Sequence, residues 1–148
     1  MHSLPKALVL LAVLLPLPAF AVKGYLCVVE YSAGLAYNKA TKTWQAVTFK
    51  PAGSFLIAPA EGNDVKLGRV WTIKQLGSSA PLGHCKADFN KVGMMVCETS
   101  TGEFMLNNKN NRFISSYMSG YFNEEVGDPK YPEGDETPSI KAGTCSSL

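Results

Sequence analysis

The sequence predicts a mainly β fold, a small antiparallel barrel or sandwich of about 7–9 short strands. Three observations lead there. Segments rich in aromatic and β-branched residues recur along the chain, clusters of Gly, Pro, Asn, Asp and Ser separate them, and the four cysteines of this short chain form an even count. No window but one carries the period of a helix.

The first segment reads as an address. Lys6 supplies a positive n-region, Ala7 to Phe20 are apolar, and Ala19-Phe20-Ala21 has the small-x-small spacing of a leader cleavage site. An apolar run of about 14 residues broken by Pro16 and Pro18 is shorter than the roughly 20 needed to span a bilayer. We therefore expect a signal peptide over residues 1–21 and one mature domain over 22–148, periplasmic or secreted, with no membrane span after cleavage.

Strand signals follow at Tyr25 to Tyr31, Trp44 to Phe49, Ser54 to Ala58, Arg69 to Lys74, Gly93 to Glu98, Glu103 to Asn107 and Ser139 to Ala142. Met94-Met95-Val96 and Glu103-Phe104-Met105-Leu106 alternate poorly, which predicts burial on both faces or pairing at a barrel seam. Between Phe113 and Phe122 apolar pairs recur every four residues, but three serines and a glycine interrupt them. A strand is expected there, with a helix of one or two turns as the alternative. Residues 123–137 gather Glu124, Glu125, Asp128, Glu133, Asp135 and Glu136 against a single Lys130, and read as a mobile acidic loop.

Two halves resemble each other. Cys27, Gly34, Tyr37-Asn38-Lys39 and Trp44 have counterparts in Cys97, Gly102, Leu106-Asn107-Asn108-Lys109 and Phe113, and Thr72-Ile73-Lys74 before Cys85 has one in Ser139-Ile140-Lys141 before Cys145. Such halves would close as an up-and-down barrel, leaving no open edge. Closure places Cys85 beside Cys97 and Cys27 beside Cys145, with a turn near Asn90-Lys91-Val92. Sequential pairing, Cys27 with Cys85 and Cys97 with Cys145, remains the alternative.

The chemistry within reach is narrow. Without the leader the chain holds one histidine, His84, and in a strand its side chain and that of Cys85 point to opposite faces. Histidine triads and multi-histidine metal sites are excluded by count. The cysteines lack the close spacing of a zinc site, and the acidic loop lacks the alternation of an EF-hand, so neither a metal nor a cofactor is expected. Most acids fall in the loop, whereas catalytic carboxylates want a fixed, partly desolvated setting. Glu30, Asp88 and Glu98 lie near strands but form no evident pair. Removing Lys6 leaves a mature net charge near +1, which offers no footprint for nucleic acid. No enzymatic activity is expected.

The series Cys27, Gly34 to Asn38, Thr41 to Trp44, Phe49, Trp71, Cys85, Gly93 to Cys97, Phe104, Asn107, Arg112-Phe113, Gly120-Tyr121, Thr137-Pro138 and Gly143 to Cys145 resembles a group of small, uncharacterised exported proteins common in proteobacteria. That resemblance runs through nearly the whole mature chain and implies a Gram-negative periplasm, but no activity. A weaker likeness is to the periplasmic inhibitors of C-type lysozyme, small disulfide-bonded β-barrels with a Ser-Gly-x-x-Tyr motif and a Tyr-x-x-x-Thr-Lys-Gly motif. Ser32-Ala33-Gly34-Leu35-Ala36-Tyr37 carries one residue more than the first motif, and Tyr37-Asn38-Lys39-Ala40-Thr41-Lys42 is followed by Thr43 in place of glycine. The likeness implies that Ser32 and Lys42 reach into an enzyme's carboxylate cleft and that the partner is a periplasmic or secreted protein such as a lysozyme.

Three functions fit these residues. The first is a non-catalytic binding or inhibitor-like module, using Lys39 and Lys42 on a hairpin tip or a rim of Tyr121, Glu124 and Glu125. The second is a structural or envelope-interaction protein with no discrete ligand. The third is a hydrolase working through two carboxylates.

Overall fold

Alternation of inward and outward side chains, broken at one point in β1 and in β4, recurs from strand to strand and builds a barrel. The computed structural model describes residues 24–121 and 137–148. The leader expected at 1–21, and residues 123–136 of the acidic stretch with Glu124 and Glu125, lie outside the described residues.

Nine strands are described: β1 (Tyr25–Asn38), β2 (Thr43–Thr48), β3 (Ser54–Pro59), β4 (Trp71–Gln75), β5 (Pro81–Cys85), β6 (Met94–Thr99), β7 (Glu103–Asn107), β8 (Arg112–Tyr117) and β9 (Ser139–Ser147), with a one-turn helix α1 (Asn63–Lys66) between β3 and β4. All pairings are antiparallel. The ring runs β1-β3-β4-β5-β6-β7-β8-β9 and closes where β9 returns to β1. Eight strands thus form a closed barrel, and β2 stands outside it, paired to the second half of β1.

Two trios of aromatic rings fill the interior. Phe55, Phe104 and Phe113 meet in the middle with centroids 5.1 to 5.7 Å apart. At the end where β1 begins, Tyr25, Trp71 and Phe89 lie 5.6 to 6.1 Å from one another. Phe89 comes from the β5–β6 connection, so this loop lays a ring across the barrel mouth. Asp88 fixes it, accepting hydrogen bonds from the Trp71 indole and the Phe89 amide. Glu98, by contrast, pairs with Lys86 on the surface, and Glu30 accepts from the Thr144 hydroxyl.

Both disulfides are buried in this core. Cys27 bonds Cys145 across the β1–β9 seam and Cys85 bonds Cys97 across the β5–β6 seam, with Cα separations of 3.9 and 4.0 Å. Cys27 and Cys145 are direct cross-strand partners, and Cys85 and Cys97 continue the register of Gly83 with Thr99 and His84 with Glu98. The seams lie on opposite sides of the ring and divide it into two four-stranded halves, each starting and ending on a cysteine strand. This is the pairing that closure of two halves predicts. The short bridge clasps the turn at Asn90, whose carbonyl accepts from the Gly93 amide.

The internal repeat does not hold strand for strand. Cys27 to Asn38 is one long strand, whereas Cys97 to Asn107 spans β6, a turn and β7. What the two stretches share is turn chemistry. Asn38 Oδ1 accepts from the Ala40 amide and Asn107 Oδ1 from the Lys109 amide. Four residues beyond each asparagine, Lys42 and Asn111 take left-handed backbone with φ of 55° and 56°. Asparagine closes such turns with its own side chain, so two hairpin tips arrived at similar sequences.

Two other expectations are corrected or resolved, and one strand was not expected. Met94 and Val96 on β6 face solvent, 38% and 42% exposed, with Met95 inside, so this strand at the β5–β6 seam is not buried on both faces. The ambiguous segment from Phe113 takes strand form as far as Tyr117. Strand β5 was not legible, because Pro81 and Gly83 are strand breakers by composition. Here Pro81 is the first strand residue, and Gly83 is required by the close approach of the Glu98 carbonyl.

Candidate functional site

The two ends of the barrel differ. One is plugged by the Tyr25–Trp71–Phe89 trio. At the other the β1–β2 hairpin projects, and the chain enters and leaves the acidic stretch through Tyr121 and Thr137.

At that second end an apolar groove of about 420 Å³ lies between the hairpin base and the ends of β8 and β9. Ala33, Gly34, Met118, Tyr121, Pro138 and Ile140 are among its walls. Gly34 makes the groove possible, because a Cβ there would collide with the Pro138 carbonyl, while the Leu35 amide donates to that same oxygen at 3.0 Å. Met118, Tyr121 and Ile140 are 56%, 58% and 53% exposed, so the walls present their apolar surface to water. Beside the groove the rings form a ladder: Tyr37 lies 5.5 Å from Trp44, and Trp44 lies 5.5 Å from Tyr121. Aromatic rings in this half-open setting supply large contact area at small entropic cost.

The structure separates the residues proposed from the lysozyme-inhibitor likeness. Ser32 is buried at 6% exposure, with its carbonyl accepting from the Phe49 amide at the hairpin base. Lys42 sits exposed in the tip turn. Six strand residues from Ser32 to Asn38 span roughly 20 Å at about 3.3 Å each, so Ser32 stands well back from the tip that carries Lys42. Lys39 shares the tip with Lys42. Tyr121 lines the groove, and Glu124 and Glu125 lie outside the described residues. The missing signal in the sequence was the groove itself: Pro138, Ile140 and Met118 carry no motif and meet only through the β8–β9 and β1–β9 pairings.

A second polar cluster lies on the outside of the barrel around α1. Asp64 accepts hydrogen bonds from Arg69 and from the Thr72 hydroxyl, and His84 Nε2 stands 3.6 Å from it. His84 faces outward and Cys85 inward, as alternation requires. The Arg69 hydrogen bond foremost holds the Asp64 carboxyl below the ordinary carboxylate range; burial opposes it as the next largest effect, and the charges of Arg69 and His84 and the Thr72 hydroxyl add to the lowering. A depressed folded-state pKa contributes stability that is complete above the unfolded value and disappears as pH falls through the folded one. Asp64→Asn should therefore lower stability at neutral pH and flatten part of the acid limb of a stability–pH profile below about pH 4, where parent and variant converge. An unchanged acid limb would show that the cluster does not couple to folding.

Among the described residues no three His, Cys, Asp or Glu side chains are placed to hold a metal ion. No helix among them is long and apolar enough to cross a membrane. Compared with protein-family models, with curated proteins and with solved structures, the chain matches none.

Proposed function

We propose that this protein is an exported, non-catalytic binding module that holds a partner at the hairpin end of its barrel. The observation that carries the reading is the apolar groove bounded by Met118, Tyr121 and Ile140 beside the Tyr37–Trp44–Tyr121 ladder. Exposed apolar surface gathered in a concavity is the usual mark of a contact site, whereas single exposed residues are not. The plugged opposite end and the ring-filled interior leave the barrel as a rigid support. Two buried disulfides are compatible with a periplasmic or secreted setting, where such bonds persist. An inhibitor-like role toward a secreted enzyme such as a lysozyme would rest on the projecting tip with Lys39 and Lys42, without Ser32.

The double variant Met118→Asp, Tyr121→Ala tests the groove. Both side chains are more than half exposed, so stability should stay within about 0.5 kcal/mol of the parent. Partners retained by the oxidised protein from periplasmic extract should be lost, since central aromatic anchors typically carry about 2 kcal/mol or more. If parent and variant retain the same proteins with the same affinity, the groove is not the contact. Lysozyme inhibition by the parent that Lys42→Ala abolishes would place the partner at the hairpin tip instead.

A further inference from the structure

Closure of the ring leaves one strand out. β2 pairs only with β1, so its outer side is an open sheet edge among the described residues. The Phe49 amide donates to the Ser32 carbonyl at 2.9 Å, which makes Ser32 and Phe49 a hydrogen-bonded pair. Alternation from there makes Val47 with Gly34, Gln45 with Ala36 and Thr43 with Asn38 the other bonded pairs. The amides and carbonyls of Trp44, Ala46 and Thr48 therefore point away from the hairpin.

Exposed edges are normally blocked by a charge, a proline or a bulge within the strand. Thr43-Trp44-Gln45-Ala46-Val47-Thr48 contains none of these. The charges stand at its two ends: between Tyr31 and Ala60 the only charged side chains are Lys39, Lys42 and Lys50, all positive. In the register centred on Ala46, antiparallel self-pairing of a second copy sets Lys42 opposite Lys50 of the other copy at both ends, and like charges directly opposed are destabilising. Opposite charges at those positions would be favourable.

We propose that the open edge of β2 receives an extended segment of a partner protein as an added strand, with acidic residues flanking an uncharged, β-branched centre. The backbone of Trp44, Ala46 and Thr48 supplies the hydrogen bonds, Lys42 and Lys50 select the flanks, and the ring of Trp44 joins this edge to the groove. The inference rests on the proposed binding module and names how that module holds its partner.

The test uses the full-length oxidised protein, labelled for amide exchange, and two synthetic peptides: Glu-Glu-Thr-Val-Thr-Val-Glu-Glu, and the same centre flanked by lysines. In the free protein the Trp44, Ala46 and Thr48 amides should exchange freely while those of Gln45 and Val47 are protected. The acidic peptide should slow the three outer amides about ten-fold or more, and the lysine-flanked one should not. Lys42→Glu with Lys50→Glu should weaken the acidic peptide by about ten-fold and improve the lysine-flanked one, with Lys66→Glu on α1 as a control that changes neither. Protection of the outer amides in the free protein at high dilution would mean the edge is already covered by the chain's own residues 122–136. Protection that grows with protein concentration would mean a second copy covers it. Either result, or no protection by millimolar acidic peptide, overturns the proposal. The groove variant Met118→Asp, Tyr121→Ala separates the two readings: if it still abolishes partner capture while the peptide does not bind, the module stands and the added strand falls.

Discussion

Replacing Cys27 and Cys145 together by alanine is expected to cost about 5 kcal/mol, the largest loss from removing either bridge. The bond closes a loop with a sequence separation of 118 residues, and loop entropy alone assigns about 4.9 kcal/mol to a loop of that length. The Cys85–Cys97 bridge, with a separation of 12, is assigned about 2.8 kcal/mol by the same relation. Topology points the same way. The β1–β9 seam joins the first and last of the described strands, whereas the β5–β6 seam joins strands adjacent in sequence. Without the long bridge the barrel must find its last strand by diffusion and hold it by hydrogen bonds alone, a contact of high sequence separation. Because total stability of a small domain is about 5–15 kcal/mol, the variant should lie near the edge of folding. Urea unfolding of the two double variants checks the order, and equal losses would show that loop closure in the unfolded chain is not the source of the stabilisation.

Closure and disulfide pairing were legible in the sequence because they follow from few constraints. Short alternating strands with no long helix need a partner for every edge, and an up-and-down ring puts the first and last cysteines together. Glu103 to Asn107 could be read to the residue, because Asn107 and the asparagines after it announce a turn. Strand β1 was cut short at Tyr31. The structure carries it on to Asn38 through a register shift between Val29 and Tyr31, and a bulge has no sequence signature of its own. Ser32 illustrates the limit at the candidate site. Its motif spacing suggested an exposed functional hydroxyl, but the shift turns the side chain inward, and the exposed apolar contact falls to Met118, Tyr121 and Ile140. These residues come from segments about twenty positions apart in the chain, and only the β8–β9 register, Ser116 against Ile140, brings them together. The apparent repeat misled for a physical reason as well: asparagine turns recur wherever a hairpin tip needs a left-handed residue, whether or not the flanking strands are equivalent.

Phe104→Ala is expected to cost about 3–5 kcal/mol, the range for deleting a buried phenylalanine. Phe104 is completely buried, stacked on Phe113 at 5.1 Å with planes 6° apart and edge-on to Phe55 at 5.4 Å. Each of the three rings comes from a different strand, so no single strand can shift to fill the space, and the surrounding ring of hydrogen bonds resists collapse. The neighbouring Met105, outward and half-buried, supplies the comparison: Met105→Ala removes a side chain of similar volume but should cost about 1 kcal/mol or less, because its site opens to solvent. The cavity left at position 104 would be apolar and dry, and such cavities accept a ligand of benzene size. Benzene should therefore raise the melting temperature of the alanine variant and leave that of the parent unchanged, by linkage of binding to the folded state. This contrast bears on function. A parent that also gained stability from benzene would have space for a ligand among its rings, and the partner would then have to be sought inside the barrel as well as at its hairpin end.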